Sequence, residues 1–483
     1  GAAERLGTTE SGQLSPEERA YLLDAQALQL RGTILRLKGR PAEARQALDQ
    51  AEAQALAVRG GRVASIVRLR SQILAEQAAA AEAVGDPASA DARFRQSIAL
   101  LEQRYPDASV VAAARGRLAS FLLRQRRTDE ALALYKTVVL DVIKRGNTAT
   151  GMSNLLAPYF DALAGRGATD PARVEDFFLA AQTLVRPGVA DTQTQLARQL
   201  SQGAGPAATL FRQATVLQRE VERARVGLAT LRAAEAPDAT ALTAATAELD
   251  RLEREQAVVQ ARLSEFPQYR AVSSDTLTIA DLRAALRPDE SYLKLAVVGD
   301  AVYGVLVSAQ NAVAYKAAIG ASRLEQAVED LRATISTVDQ GQVVTYPFNL
   351  PLARTLYTEL TGPVAAQLAS TRVLIFEPDG AMLRLPLSLL PTDQASVDRY
   401  LARIRKPGAD KFDFTGVAWL GRATKVSTAV SARGFRDARR AAPSAASRPY
   451  LGFGENAPAF TRVLITQGAS ADPCAWPLSE WNK

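Results

Sequence analysis

The chain has 483 residues, of which 47% are hydrophobic, and its 58 Lys and Arg against 51 Asp and Glu give a net charge of +7. It contains no histidine and one cysteine, Cys474, which excludes a Cys–His or Ser–His catalytic pair, a His/Cys zinc site and a disulfide within the chain. The length predicts roughly two to four domains, and so small a net charge does not indicate nucleic acid as a partner.

No stretch of about 18 apolar residues occurs, so no membrane-spanning helix is predicted. The chain begins at Gly1 without a signal-peptide pattern and ends at Lys483 without a finished element, so we expect both ends to be cuts in a longer protein. Without disulfides the sequence gives no sign of an oxidising compartment. The localisation therefore stays unknown, with the cytoplasm as the default and the periplasm left open.

Three helix–turn–helix segments near the start of the chain share one pattern. Each has an apolar-periodic helix, a short turn and an Ala-rich second helix, and the turns at Gly39, Gly85 and Arg126 are 46 and 41 residues apart. One position early in each second helix is small, as expected where two helices approach closely: Ala44, Ala90 and Ala131. The pattern over residues 16–167 resembles long tetratricopeptide repeats. We therefore predict an α-helical, tetratricopeptide-like solenoid over residues 1–204, with a generic Ala-rich helical bundle as the alternative.

A different period follows in residues 205–266. Apolar residues alternate at spacings of four and three on both sides of a Pro turn at Pro237, including Leu217 and Val221 before it and Leu249 and Leu252 after it. A sustained 3.5-residue repeat is typical of coiled coils, and the turn would fold the second helix back on the first. We predict an antiparallel coiled-coil hairpin.

Residues 267–483 change to an α/β pattern. Two strands, 292–298 and 301–307, flank a Gly299-Asp300 turn, and helices are predicted at 279–286, 323–337 and 350–368. The continuous apolar run 372–376 predicts a buried strand of a parallel sheet covered on both faces. A further strand is predicted at 450–454, after an exposed basic helix and loop at 432–448.

The order of these parts resembles the CHAT domain, a caspase-like module that commonly follows tetratricopeptide repeats. The most specific match is Leu374-Ile375-Phe376-Glu377-Pro378-Asp379-Gly380 followed by Leu385-Pro386-Leu387-Ser388-Leu389-Leu390-Pro391. The resemblance implies that residues 267–483 are the N-terminal part of such a domain, in a bacterial cysteine peptidase. Its His and Cys, which follow later strands in the family, are absent here, so no catalytic, cofactor-binding or metal-binding residue is predicted.

Four features of the sequence resemble catalytic or ligand-binding sites, but each is better interpreted as a structural or surface feature. Cys474 lies in a Pro-bracketed loop without an imidazole and is a spare thiol. Gly452 and Gly454 follow a predicted strand but lack the third glycine and the Lys-Ser/Thr of phosphate loops, so a turn is favoured. Asp379 is interpreted as a turn residue. The basic cluster at 433–448 has too few aromatic residues for base stacking and is interpreted as a surface loop.

The repeats are the best candidate for a functional surface, because stacked helix pairs form grooves that hold extended peptides or helices. We expect a protein or peptide partner there, and the rest of the CHAT domain as a second partner. The resulting hypothesis is an inactive N-terminal fragment of a caspase-like peptidase that its repeats regulate. The alternative is a non-catalytic scaffold that assembles a complex through the repeats.

Overall fold

The computed structural model describes residues 14–104, 109–144, 153–165, 168–184, 206–232, 238–264, 276–339 and 342–440. The interpretations of Cys474, Gly452 and Gly454 and the strand predicted at 450–454 fall outside these ranges. The described residues all belong to one compact unit, Gly1–Arg440. Among the helices described, none is both long and apolar enough to cross a membrane.

The first part of this unit is an array of eight helices arranged as four consecutive pairs. They are α1 Pro16–Leu37, α2 Pro41–Ala57, α3 Ala64–Ala83, α4 Pro87–Arg104, α5 Ser109–Arg124, α6 Thr128–Lys144, α7 Ser153–Ala164 and α8 Pro171–Thr183. Helix α1 begins with a capping box in which Ser15 and Glu18 satisfy each other's backbone N–H groups. The predicted helix pairs are confirmed.

The turn inside each of the first three pairs uses one residue in the left-handed region. Gly39 and Gly85 have φ values of 72° and 79°, and Arg126 takes the same role at 61°. The small residues predicted at the close approach are each 0% exposed: Ala44, Ala90 and Ala131. The helices of the first pair are so close that a side chain on Gly32 would lie 2.6 Å from Leu48 Cγ.

A separate helical hairpin follows the array. Helices α9 (Pro206–Arg232) and α10 (Ala239–Ser264) pack on each other through a core of Leu217, Val221, Leu252 and Val259. Arg225 and Glu253 form an ion pair of 2.6 Å between the two helices. The predicted pair of packed helices is confirmed, whereas supercoiling as a coiled coil stays a prediction, and Pro237 lies outside the described residues.

The third part contains a five-stranded sheet in the order β3-β2-β1-β6-β7. Its strands are β1 Glu290–Val298, β2 Ala301–Ser308, β3 Ala312–Gly320, β6 Val373–Glu377 and β7 Lys425–Thr428, and β4 Thr337–Asp339 pairs with β5 Gln342–Val344 in a small hairpin. Strands β1, β2 and β3 are antiparallel neighbours, whereas β6 runs parallel to both β1 and β7. The predicted β1–β2 hairpin and the buried parallel strand β6 are confirmed.

The helices of this part are α11 Ile279–Ala285, α12 Ala321–Ile335, α13 Leu350–Thr361, α14 Ala365–Ala369, α15 Gln394–Ile404, α16 Leu420–Ala423 and α17 Ala432–Arg440. The single helix predicted at 350–368 is wrong, because a 3₁₀ turn at Gly362–Val364 separates α13 from α14. Pro363 lies in that turn and has no N–H to continue the α-helical hydrogen bonds.

The two faces of the sheet are covered by different parts of the chain. One face packs on α12 and α13 through Leu293, Leu374 and Phe376. The other packs on α7 and α8 of the array, in a core that also contains Tyr292 and Tyr303. The array and the sheet therefore share one hydrophobic core.

The described residues that precede and follow the hairpin α9–α10 in sequence meet at one place beside this core. The side chain of Gln182, near the end of α8, donates to the carbonyl of Leu277 at 2.8 Å and accepts from its N–H at 2.9 Å. Glu175 on α8 likewise accepts from the N–H of Ile279 at 3.1 Å. These contacts hold the start of α11 against α8, although the two are separated by more than 90 residues of sequence.

Candidate functional site

A groove of about 530 Å³ lies among helices α4, α5 and α6 of the array. Its lining residues come from three consecutive helices, so their positions depend on how the second and third helix pairs stack. They are Arg95, Ile98, Ala99, Glu102, Arg115, Leu118, Leu122, Glu130, Ala133, Leu134 and Thr137. Within the described residues this is an open concave surface between stacked helices, the kind of surface on which helical repeats hold extended segments.

The floor of the groove is apolar. Ile98, Leu118 and Leu122 are 9%, 2% and 2% exposed, and Leu134 is half-buried beside them. Leu134 also packs against the core that joins the array to the sheet. A side chain that entered the groove would therefore contact a residue that itself touches the shared core.

The rim of the groove is charged, but its charges are paired within the chain. Arg115 contacts Glu102 at 2.8 Å and Asp141 at 2.5 Å. Arg95 contacts Asp91 at 2.7 Å. Burial alone would raise the pKa of Asp91, yet hydrogen bonds from Arg127 and Arg95 hold it below its ordinary value. Because the rim charges are already balanced, the groove favours a ligand that it anchors by apolar side chains.

A second polar site lies where the parallel strands end, which is where open α/β sheets place their ligands. Glu377, the last residue of β6, accepts from Tyr292 Oη and from Lys294 Nζ, both at 2.6 Å. The side chains of Lys294 and Glu377 are only 7% and 3% exposed. This is a closed ion pair whose groups already have partners, so it stabilises the sheet and presents no free acid, base or nucleophile.

The turn after β6 has a structural role. Asp379 accepts hydrogen bonds from the N–H groups of Val297 at 2.8 Å and Gly380 at 2.9 Å. These bonds tie the Pro-Asp-Gly turn to the end of β1, and they confirm the interpretation of Asp379 as a turn residue. No group of three or more His, Cys, Asp or Glu side chains that could hold a metal ion occurs among the described residues.

The described part of the predicted basic cluster, residues 433–440, lies in helix α17, where two of the four arginines are exposed and two are partly buried. Arg433 and Arg436 have side chains 13% and 18% exposed and both contact Asp437. Arg439 forms an ion pair of 2.6 Å with the buried Glu290. The predicted helix is therefore confirmed, and its predicted exposure is wrong only for Arg433 and Arg436, whose guanidinium groups pair with Asp437 on the same helix.

Aromatic side chains form the contact between the array and the sheet. Phe160 of α7 and Phe177 of α8 have ring centroids 5.5 and 6.3 Å from that of Tyr303 on β2. Tyr303 Oη also donates to Asp161 at 2.8 Å. The backbone N–H of Ala314 on the edge strand β3 donates to the carbonyl of Ala168 at 3.1 Å, so the array also pairs with the sheet's edge.

The sequence signals for these sites were weak. Lys294 is a lone charge inside an apolar strand and Glu377 ends an apolar run, but their pairing depends on a β1–β6 register that a single sequence does not give. The groove residues are ordinary helix positions whose exposure depends on the stacking of three helices.

Comparison with protein families gives one match. The sequence model of the CHAT domain matches residues 350–478, roughly a quarter of the chain. The matched range begins at α13 and includes β6, β7 and α17, so the CHAT part of the resemblance is confirmed over that range. The match does not extend to the helical array, whose tetratricopeptide resemblance stays a prediction. Neither the curated proteins nor the solved structures contain a match to this chain.

Proposed function

We propose that this chain is the regulatory portion of a bacterial CHAT-type cysteine peptidase, in which the helical array binds a protein or peptide partner. The catalytic His and Cys belong to a further part of the domain, which completes the site by contact with this portion. The chain alone hydrolyses no peptide bond, because it has no histidine to activate a thiol.

The observation that carries this proposal is the shared core of the array and the sheet. Leu134 lines the groove and packs on that core, and Phe177 and Tyr303 extend it to strand β2. A ligand that favours one arrangement of α4, α5 and α6 would shift the packing beneath the sheet as well. Regulation requires a ligand that binds one arrangement of the protein more tightly than another, and a ligand in this groove would meet that requirement.

The test is a displayed library of random peptides selected against the intact chain. We expect enrichment of peptides with apolar anchor residues. Leu134→Arg, which places a charge on the groove floor, should weaken their binding by roughly tenfold or more. Leu140→Arg is the matched control, since Leu140 lies on the same helix, is 46% exposed and does not line the groove.

Hydrogen exchange then tests the regulatory step. Peptide binding should slow amide exchange in α6 and also in β2, which lies outside the groove. Protection confined to α4, α5 and α6 would refute regulation while leaving peptide binding intact. Equal binding by Leu134→Arg and Leu140→Arg would refute the groove.

The alternative function is a scaffold that assembles a complex without any hydrolysis. The buried Lys294–Glu377 pair favours it, because two side chains that are almost inaccessible and paired with each other are not available to a substrate. Peptidase assays of the complete natural protein separate the two functions. Hydrolysis that depends on a His and a Cys outside this chain supports the peptidase, and its absence supports the scaffold.

A further inference from the structure

Helix α1 exposes a stripe of large apolar side chains on the face turned away from its partner α2. Leu23, Leu30, Ile34 and Leu37 are 63%, 59%, 51% and 71% exposed. Their spacings of seven, four and three residues place them along one side of the helix. The buried residues of the same helix, Ala25 and Gly32, mark its packed side.

A stripe of this kind marks an interaction surface, since soluble proteins rarely leave a contiguous apolar patch uncovered. The stripe keeps a spacing near 3.5 residues, which suits the side of a helix that packs along another helix. The occupant is therefore a helix, and the sequence of the stripe indicates which one.

We propose that the occupant is α1 of a second copy of this chain, packed antiparallel about a two-fold axis at Leu30. Leu23 and Leu37 are each seven residues from Leu30, so the axis sets Leu23 of one copy against Leu37 of the other at both ends. Leu23, Leu30 and Leu37 are thus complementary to themselves, as a closed two-fold interface requires, and Ile34 of each copy lies opposite Gln26 of the other.

The flanking charges agree with this arrangement. Asp24 and Lys38 each follow a stripe residue, and both are exposed. An axis at Leu30 sets Asp24 of one copy level with Arg36 of the other and two residues from its Lys38, about 3 Å along the helix, which the long lysine side chain can span to give two ion pairs per dimer. Arg31 lies beside the axis, where its long side chain can extend into solvent.

A parallel pair would lack this match. It would place Asp24 level with Asp24 and Lys38 level with Lys38, and neither ion pair would form. The charge pattern therefore favours the antiparallel arrangement.

The first experiment is sedimentation equilibrium of the intact chain over a range of concentrations. We expect a dimer with a dissociation constant on the order of micromolar, as suits a small interface. Leu30→Asp should raise that constant by roughly tenfold or more, because it places two charges at the axis. Leu140→Asp, at an exposed leucine of α6, should leave it unchanged.

Charge exchange tests the partner's identity. Asp24→Lys and Lys38→Asp should each weaken the dimer roughly threefold, and the double variant should restore it, because the two ion pairs form again with reversed signs.

Cross-linking tests the position of the two-fold axis, in a variant whose own cysteine is removed by Cys474→Ser. Leu30→Cys should join two copies through a short bismaleimide, whereas Leu23→Cys should not, since it faces Leu37.

Several results would overturn the proposal. They are a monomer at every concentration, a dimer indifferent to Leu30→Asp, and cross-linking of Leu23→Cys as efficient as that of Leu30→Cys. A monomer whose melting temperature falls with Leu30→Asp would show that another segment of the same chain covers the stripe, which also contradicts a second copy.

Discussion

The two faces of the five-stranded sheet are covered in different ways. The face toward α12 and α13 is apolar and is covered by helices adjacent to the strands in sequence. The face toward α7 and α8 is covered by helices from the array, and its contacts, such as Tyr303 to Asp161, join residues 142 positions apart. A sheet with buried parallel strands needs cover on both sides, and here one cover comes from the helical repeats. A core can therefore cross the boundary between a repeat region and an α/β region.

The largest expected effect comes from removing an aromatic anchor of the array face. Phe177 is 0% exposed and contacts both Phe160 and Tyr303. Phe177→Ala should lower the free energy of unfolding by about 3–5 kcal/mol, measured by urea denaturation, because it leaves a cavity in the shared core. Hydrogen exchange should become faster in both α8 and β2.

Leu356→Ala on the opposite face is the matched variant. Leu356 is 1% exposed and belongs to the core beneath α13. The Leu356→Ala variant should lower the free energy of unfolding by about 2–5 kcal/mol. Local amide hydrogen exchange in α7 and α8 should stay as in the parent chain. If Phe177→Ala changed exchange in α8 but not in β2, the array and the sheet would be separate cooperative units.

The two faces also differ in buried charge. Tyr292 and Ala296 of β1 lie on the array face, and Lys294 lies on the same face because alternate residues of a strand point to the same side. Lys294→Met should lower the free energy of unfolding by about 3–5 kcal/mol, since it leaves Glu377 buried without its cation. Lys316→Met breaks the exposed pair with Asp161, whose side chains are 49% and 50% exposed, and should cost about 1 kcal/mol or less. Equal losses in the two variants would contradict a distinction between buried and exposed pairs.

The smallest effect should appear with pH at the edge of the array face. Burial raises the pKa of Glu175, the hydrogen bond from Ile279 N–H opposes this, and Asp176 and Asp281 add to the rise. Ionisation of Glu175 therefore costs stability, and this cost is absent below the ordinary glutamate pKa of about 4.3 and grows as pH rises through the folded-state pKa.

Glu175→Gln keeps an acceptor for the Ile279 N–H without the charge. The variant should be the more stable protein at neutral pH, by less than about 1 kcal/mol because the site is partly exposed. The difference should shrink toward zero near pH 4. Thermal unfolding of both proteins between pH 4 and 8 measures it, and a gap that widened on acidification would contradict the raised pKa.

Local features were predictable from the sequence. The turns at Gly39 and Gly85 and the buried Ala44 follow from backbone freedom and close helix contact, and the β1–β2 hairpin follows from a Gly-Asp turn between apolar runs. Strand β3 was missed because its alanines favour helix. Its extended form depends on pairing with β2, and with Ala168 from the array.

Tertiary features were not predictable in the same way. The pairing of Lys294 with Glu377 depends on the β1–β6 register, and the pairing of Arg439 with Glu290 depends on α17 meeting the start of β1. The groove is defined by three helices at once. Each of these needs knowledge of which distant segments meet, and the periodicity of one segment carries no such information.

The clamp between Gln182 and Leu277 also bears on how this architecture is inherited. Because Gln182 and Leu277 are neighbours, a change in the length of helices α9 and α10 need not reroute any strand. Relatives could therefore differ in the length of the α9–α10 hairpin while the shared core persists, with a change in the contact between α9 and α4. The array's last helix pair has no such freedom, since deleting it would expose Tyr303 and the face of the sheet around it. Genetic shuffling should thus preserve α7, α8 and the sheet as one block and vary the hairpin.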